Sequence, residues 1–179
     1  MIYAGTGHRL EVVGYENKAK LIRYATQLLP GYKPDKIISG MAIGWDQALA
    51  HAAVNNKIPF IAAVPFVGQA NVWPKEAQEE YSQLLNLAED VVIVSEGGFA
   101  THKYHVRNMW MSNHANAILA LWNGIKKGGT HQCLTYAKQI KLPVYNIWPG
   151  WLDFCELSHD TLDTEHDRLL LRVDPLQDQ

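Results

Sequence analysis

An α/β sandwich with a mainly parallel central sheet is the fold this sequence predicts, and three observations predict it. Short apolar runs of strand length recur at Met1–Ala4, Lys36–Ser39, Phe60–Val64, Val91–Ser95, Ala117–Leu121 and Val144–Ile147. They lack the clean polar alternation of a sheet with one wet face. Helix-length segments separate most of them, and strands alternating with helices build a parallel sheet covered on both sides. These features describe a Rossmann-like three-layer sandwich over residues 1–148.

Taken in order, Met1–Ala4 forms the first strand and breaks into Gly5-Thr6-Gly7-His8-Arg9, a turn at its tip. Gly14–Leu29 places Ala19, Ile22, Arg23 and Ala25 beside Leu28 and Leu29 at helical spacing, with Lys18, Lys20 and Gln27 toward water. The second strand runs through Ser39-Gly40 into a helix over Trp45–Asn55 that is rich in alanine. Pro74–Leu87 starts with a proline suited to a first helical turn, and Glu76, Glu79 and Glu80 suit the positive end of the helix dipole. A further helix opens near His105-Val106-Arg107-Asn108, and the last good one covers Thr130–Ile140. Residues 149–179 change character, mixing Trp148, Trp151 and Phe154 with many acids. They read as an appendage packed on the same domain, with Leu169–Val173 a candidate edge strand and Pro175–Gln179 frayed.

The bulk numbers narrow the function classes. A chain of 179 residues with 47% hydrophobic and 19% charged content buries one sizeable core, and its length favours a single domain. A formal net charge of -2 and a pI near 6.4 offer no broad basic field, which argues against nucleic acid as a partner. A local basic pocket can still hold a small anion. Two cysteines, Cys133 and Cys155, without CxxC spacing suggest neither a zinc knuckle nor a disulfide framework, and point to a reducing cytoplasmic setting. No signal-peptide pattern and no apolar run of membrane-span length is present, so no membrane association is expected. His102 and His105 sit three apart without an HExxH or carboxylate pairing, so no metal is expected, and nothing calls for another cofactor. Gly-x-Ser-x-Gly is absent, which argues against acyl transfer.

In an open parallel sheet ligands bind at the carboxyl ends of the strands, and the polar motifs fall there. At the first tip, Gly5 and Gly7 allow close approach to backbone amides, Thr6 adds a hydroxyl, and His8 and Arg9 supply donors to phosphate or carboxylate. The spacing is not GxGxxG. At the second tip, Ser39 and Gly40 lead into a helix start carrying Asp46, which either compensates the dipole, bonds a ribose hydroxyl or serves as a general base. At the third, Pro65-Phe66-Val67-Gly68-Gln69 followed by Trp73-Pro74 can cover a planar base, with Gln69 reading it, or be a loop pinned by its aromatics. The fourth region is richest. Ser95-Glu96-Gly97-Gly98 ends one strand, Arg107 and Asn108 follow, and Lys126-Lys127-Gly128-Gly129-Thr130 at a helix start forms a phosphate cradle.

Together "TGHR", "SGMAIGWDQALA", "PFVGQANVWP", "VSEGG", "HVRNMWM" and "ALWNGIKKGGTHQCLTYAK" resemble the YpsA-like branch of the SLOG superfamily, which also holds DprA/Smf and the LOG cytokinin-activating enzymes. The match spans Ile2 to about Ile147. It implies strand tips that bind a nucleotide or a nucleotide-derived molecule. LOG enzymes hydrolyse the N-glycosidic bond of nucleoside monophosphates with an Arg-Lys pair and a Pro-Gly-Gly-x-Gly-Thr-x-x-Glu motif. The corresponding positions here are Arg107-Asn108 and Gly124 through Cys133, which stands at the glutamate position. A neutral thiol cannot do a carboxylate's work there.

The leading expectation is a binder of a small nucleotide-type ligand, such as an ADP-ribose-like molecule or nucleotide-sugar, acting in sensing or sequestration. Gly128, Gly129, Thr130 and the Gly5–Arg9 loop would hold phosphate, Asp46 a ribose and Arg107 an anionic group. The alternative is a nucleotide N-glycosidase or ribosyltransferase with Asp46 or Glu96 as carboxylate and Arg107 steering phosphate. A third reading, by analogy with DprA, is single-stranded DNA binding, with Trp45, Trp73 and Trp110 available to stack on bases. Met109, Trp110, Met111, Ile118 and Leu119 suit core positions and leave a homodimer open.

Overall fold

The computed structural model describes residues 1–157. The chain divides into two compact units, Met1–Trp148 and Pro149–Gln179. In the second unit residues 149–157 are helical, and Trp151 and Phe154 stack with ring centroids 6.3 Å apart. The candidate edge strand Leu169–Val173 and the frayed end lie outside the described residues.

The first unit is an α/β Rossmann-like fold on a six-stranded sheet with every strand pairing parallel. Its strands are β1 (Ile2–Gly7), β2 (Lys36–Ser39), β3 (Phe60–Val64), β4 (Asp90–Ile93), β5 (Ala117–Leu121) and β6 (Val144–Asn146). Their spatial order is β4-β3-β2-β1-β5-β6. Helices α1 (Leu10–Val13), α2 (Lys18–Tyr32), α3 (Trp45–Asn55), α4 (Lys75–Leu87), α5 (His102–Asn113) and α6 (Gly128–Gln139) make the connections. The order runs one way from β1 to β4 and the other way through β5 and β6, so it reverses between β1 and β5. Among the described residues no helix is long and apolar enough to cross a membrane.

Alternate residues of the buried strands feed two cores. Ala4, Ile38, Ala63, Ile118 and Ala120 meet Met111 of α5 and Cys133 and Ala137 of α6 on one face. On the other face Gly5 and Gly7 lie beneath Leu49 and Trp45 of α3. Most of α3 is buried, and the Trp45 indole N–H donates to the Leu119 carbonyl at 3.1 Å.

Several boundaries differ from the sequence expectation. Gly5 and Gly7 are in β1 and carry no positive φ; a Cβ on either would lie 2.7 Å from Leu49 or Trp45. Their smallness lets α3 approach the sheet, and the sharp turn belongs instead to Gly44, at φ 126°. Helix α2 continues past Pro30, whose missing N–H leaves the Thr26 carbonyl without its helical donor. The Asn56 side chain donates to that carbonyl at 3.0 Å, which removes the reason for the helix to stop. Helix α5 begins three residues before His105 and α6 two residues before Thr130.

Candidate functional site

A cavity of about 500 Å³ opens where the strand order reverses, at the carboxyl ends of β1 and β5. That crevice is where open parallel sheets take their ligands. Its walls come from five places in the chain. Thr6, Gly7, His8 and Arg9 descend from the tip of β1, and Glu11 and Val12 from the first turn of α1. Ala42 and Asp46 bring the approach to α3; Tyr104, Arg107 and Asn108 form one face of α5. Asn123, Ile125 and Lys127 line it from the turn after β5, ahead of Gly128, Gly129 and Thr130 at the start of α6.

The tip of β1 is fixed by its neighbours. The His8 amide donates to the Leu121 carbonyl at 3.1 Å, and the His8 carbonyl accepts from the Trp45 amide at 3.1 Å. The Asn123 amide donates to His8 Nε2 at 3.0 Å, a bond that requires the unprotonated nitrogen. Burial lowers the pKa of His8 and so favours the neutral ring.

An ion pair forms the floor. Asp46 Oδ2 lies 3.7 Å from Arg107 Nη1, and the two side chains are 8% and 6% exposed. Burial pushes the Asp46 carboxyl up, while the Arg107 guanidinium and the Ala42 amide at 3.4 Å pull it back. The guanidinium is also lowered by burial, with Asp46 opposing. Arg107 is aimed by its neighbours: Nη1–H donates to the Gly40 carbonyl, and Nε–H donates to Asn108 Oδ1 at 2.9 Å. Asn108 Nδ2 reaches the Gly129 carbonyl at 3.4 Å, which ties α5 to the start of α6.

The opposite wall is the amino end of α6. Lys127 is extended, Gly128 turns at φ 82°, and the helix begins there with no side-chain cap. The leading amides of a helix have no intrahelical acceptor, and with the dipole they favour an anion. Among the described residues, Arg9, Arg107 and Lys127 outnumber the two carboxylates on the wall, Asp46 and Glu11.

The expected site residues thus divide into two groups. Thr6, Gly7, His8, Arg9, Asp46, Arg107, Asn108, Gly128, Gly129 and Thr130 meet at one cavity. Gly5, Ser39, Gly40 and Gln69 are not on its wall. The Ser39 hydroxyl donates to the Asp46 carbonyl and accepts from the Met41 amide. The Gly40 carbonyl receives Gln69 Nε2 at 3.1 Å besides Arg107, and Gln69 Oε1 accepts from the Tyr81 hydroxyl at 3.3 Å. These residues position the floor from beneath. Glu96 does not join the cavity: it is exposed, and its carbonyl accepts from Lys103 Nζ at 2.6 Å. Cys133 points into the core, where burial raises its thiol pKa. Trp45 is fully buried and has no face to offer a base. Glu11, Val12 and Tyr104 fell outside every motif; Tyr104 could have been found from its spacing, one helical turn before Arg107 and Asn108.

Comparison with known proteins agrees with this architecture. A family model described as DNA recombination-mediator protein A matches residues 10–166. The SPbeta prophage-derived protein YoqJ of Bacillus subtilis, itself uncharacterized, is 32% identical over 153 residues, covering 76% of this chain and 88% of that protein. DNA processing protein A (DprA) of Streptococcus pneumoniae superposes with a TM-score of 0.60 at 19% identity, over 89% of this chain and 56% of that one. DNA processing protein A of Helicobacter pylori, whose structure was described for its single-stranded DNA binding mode, gives 0.58 at 18% identity, over 80% of this chain and 63% of that one. This chain therefore spans under two thirds of either DprA chain, and at these identities the likeness concerns the fold.

These findings overturn the expectation that argued against nucleic acid as a partner. The physical reason is where the charges lie. Residues 158–179 hold six of the 18 carboxylates but only two of the 16 Lys and Arg residues. Residues 1–157 are left with 14 cations and 12 carboxylates, and the sheet unit 1–148 with 14 and 10, a formal net charge of +4, so the whole-chain value misrepresents that unit.

Proposed function

Because the chain belongs to the DNA recombination-mediator protein A family, we propose that its switch-point cavity binds a nucleotide unit, phosphate first. The observation that carries this reading is the pairing of the α6 amino end and Lys127 with a buried Asp46–Arg107 floor across about 500 Å³. That volume falls in the range of small-ligand sites. Phosphate lies against the amides of Gly128, Gly129 and Thr130, with Arg9 and Lys127 beside it. Asp46 accepts from a ribose hydroxyl. The base rests on the apolar wall of Val12 and Ile125, with Tyr104 at its edge. A free nucleotide or nucleotide-derived ligand bound in this way suits sensing or sequestration.

Identification of any small molecule released on denaturing the freshly purified protein names the ligand class. Calorimetric titration with nucleoside monophosphates then tests the phosphate end. Lys127→Glu should weaken binding by about tenfold or more, the scale of one charge-assisted contact. No retained nucleotide, together with no binding to any monophosphate tested, rejects the reading.

A second reading, single-stranded DNA held by one nucleotide in the same cavity, is supported by the family match and by the DNA-binding relative from H. pylori. Tight binding of oligonucleotides against weak binding of monophosphates selects it over the first.

A further inference from the structure

The turn over residues 122–127 has a second side. Asn123, Ile125 and Lys127 face the cavity, while Trp122 opens a groove of about 460 Å³ along α6 and β6. Leu134, Leu142 and Pro143 make its floor apolar, and Lys138 and Lys141 flank it. Among the described residues no carboxylate lines it, and neither lysine has an ion-pair partner.

Trp122 is held firmly at one end. Its indole N–H donates to the Ile125 carbonyl at 3.0 Å, and its ring lies nearly parallel to that of His131, at 6.0 Å and 18°. The Asn146 side chain bonds the Trp122 carbonyl at 2.9 Å and accepts from its amide at 3.3 Å. His131, Leu134 and Lys138 are spaced three and four apart, so one side of α6 runs from the cavity toward Lys141. A helix of 12 residues covers about 18 Å, room for several linked nucleotides.

We infer that this groove continues the nucleotide site and holds the residues of a single-stranded DNA that adjoin the one in the cavity; the inference rests on the second reading above. Trp122 offers a base a fixed aromatic surface, the apolar floor accepts further bases, and Lys138 and Lys141 neutralise two phosphates. An aromatic platform beside basic side chains is the combination that tracks a single strand without reading its sequence.

The test is fluorescence anisotropy of the full chain with a labelled oligothymidylate of about ten nucleotides, within the usual site size of such tracks. The Lys138→Glu/Lys141→Glu variant is compared with Lys57→Glu/Lys75→Glu, which carries the same net charge with its changes at exposed positions outside both cavity and groove. The groove variant should bind at least about tenfold more weakly, and its slope of log affinity against log salt should fall by about 1.4, two single-strand phosphate contacts. The control variant should match the wild type within about twofold. Trp122→Leu should weaken the oligonucleotide while leaving thymidine monophosphate, which reads the cavity alone, unchanged. A wild-type chain that binds no oligonucleotide overturns both the single-strand reading and the groove. Oligonucleotide binding that the groove variant leaves equal to the control overturns the groove and spares the reading. A groove variant that changes only the sedimenting mass marks a face between copies of the chain, and also overturns the inference.

Discussion

At the level of single residues, the site depends on a buried charge that cannot be removed alone. Replacing Arg107 with alanine leaves Asp46 buried beside an empty space, and breaking such a pair typically costs about 3–5 kcal/mol. Adding Asp46→Asn should recover part of that loss, and a double-mutant cycle in urea reads the coupling directly. Gly7→Ala should cost about 1–3 kcal/mol, because its new methyl lies 2.7 Å from Trp45 and α3 must shift to admit it. An unchanged denaturation midpoint would refute this account of the two glycines. The sequence displayed Asp46, Arg107 and the Gly-Gly-Thr cradle because each stands at a strand tip or helix start, where polar residues have few structural alternatives. It could not display that Ser39, Gly40 and Gln69 lie off the cavity wall. Their role is to hold another side chain, and that depends on distances between segments that only the fold brings together.

At the level of elements, the helices on the α3 side are tied by a polar cluster. Glu80 of α4 accepts from His51 of α3 at 2.8 Å and pairs with Lys18 of α2. The bond to His51 is the main cause that holds the Glu80 carboxyl down to about 2. The unfolded value lies near 4.5, so the folded state gains stability from an ionised Glu80 above that pH and loses it as pH falls toward 2. Because Glu80 keeps some solvent exposure, the gain is on the order of 1–2 kcal/mol. Glu80→Gln should thus be less stable than the wild type at pH 7, and the two should converge between pH 4.5 and 2 in chemical denaturation. A constant gap across that window would show that the cluster acts through packing. The interior strands β2, β3 and β5 were legible to the residue because β3 and β5 are continuous apolar runs and β2 centres on the pair Ile37-Ile38. The end of β1 was not, since glycines chosen for close packing look the same in sequence as glycines chosen for a turn. The end of α2, expected at Leu29, differed for a related reason: the donor to the Thr26 carbonyl that lets the helix pass Pro30 is 30 residues away in the chain.

At the level of the whole molecule, a single reversal of strand order gathers five chain segments at one crevice, and the net charge of the chain gives no account of it. Binding that depends on local phosphate contacts should weaken steeply with added salt even though the full chain is acidic, and titration of an oligonucleotide at several salt concentrations checks this. The same architecture sets the accessibility of the two thiols. Cys133 is sealed between α6 and the sheet, whereas Cys155 is only half-buried. Burial also keeps the Cys133 thiol protonated, and it is the thiolate that reacts. A maleimide should therefore modify one sulfur per native chain and two in denaturant. In a Cys155→Ser chain, the remaining alkylation becomes a clock for how often α6 lifts from the sheet, timed without any probe being attached beforehand.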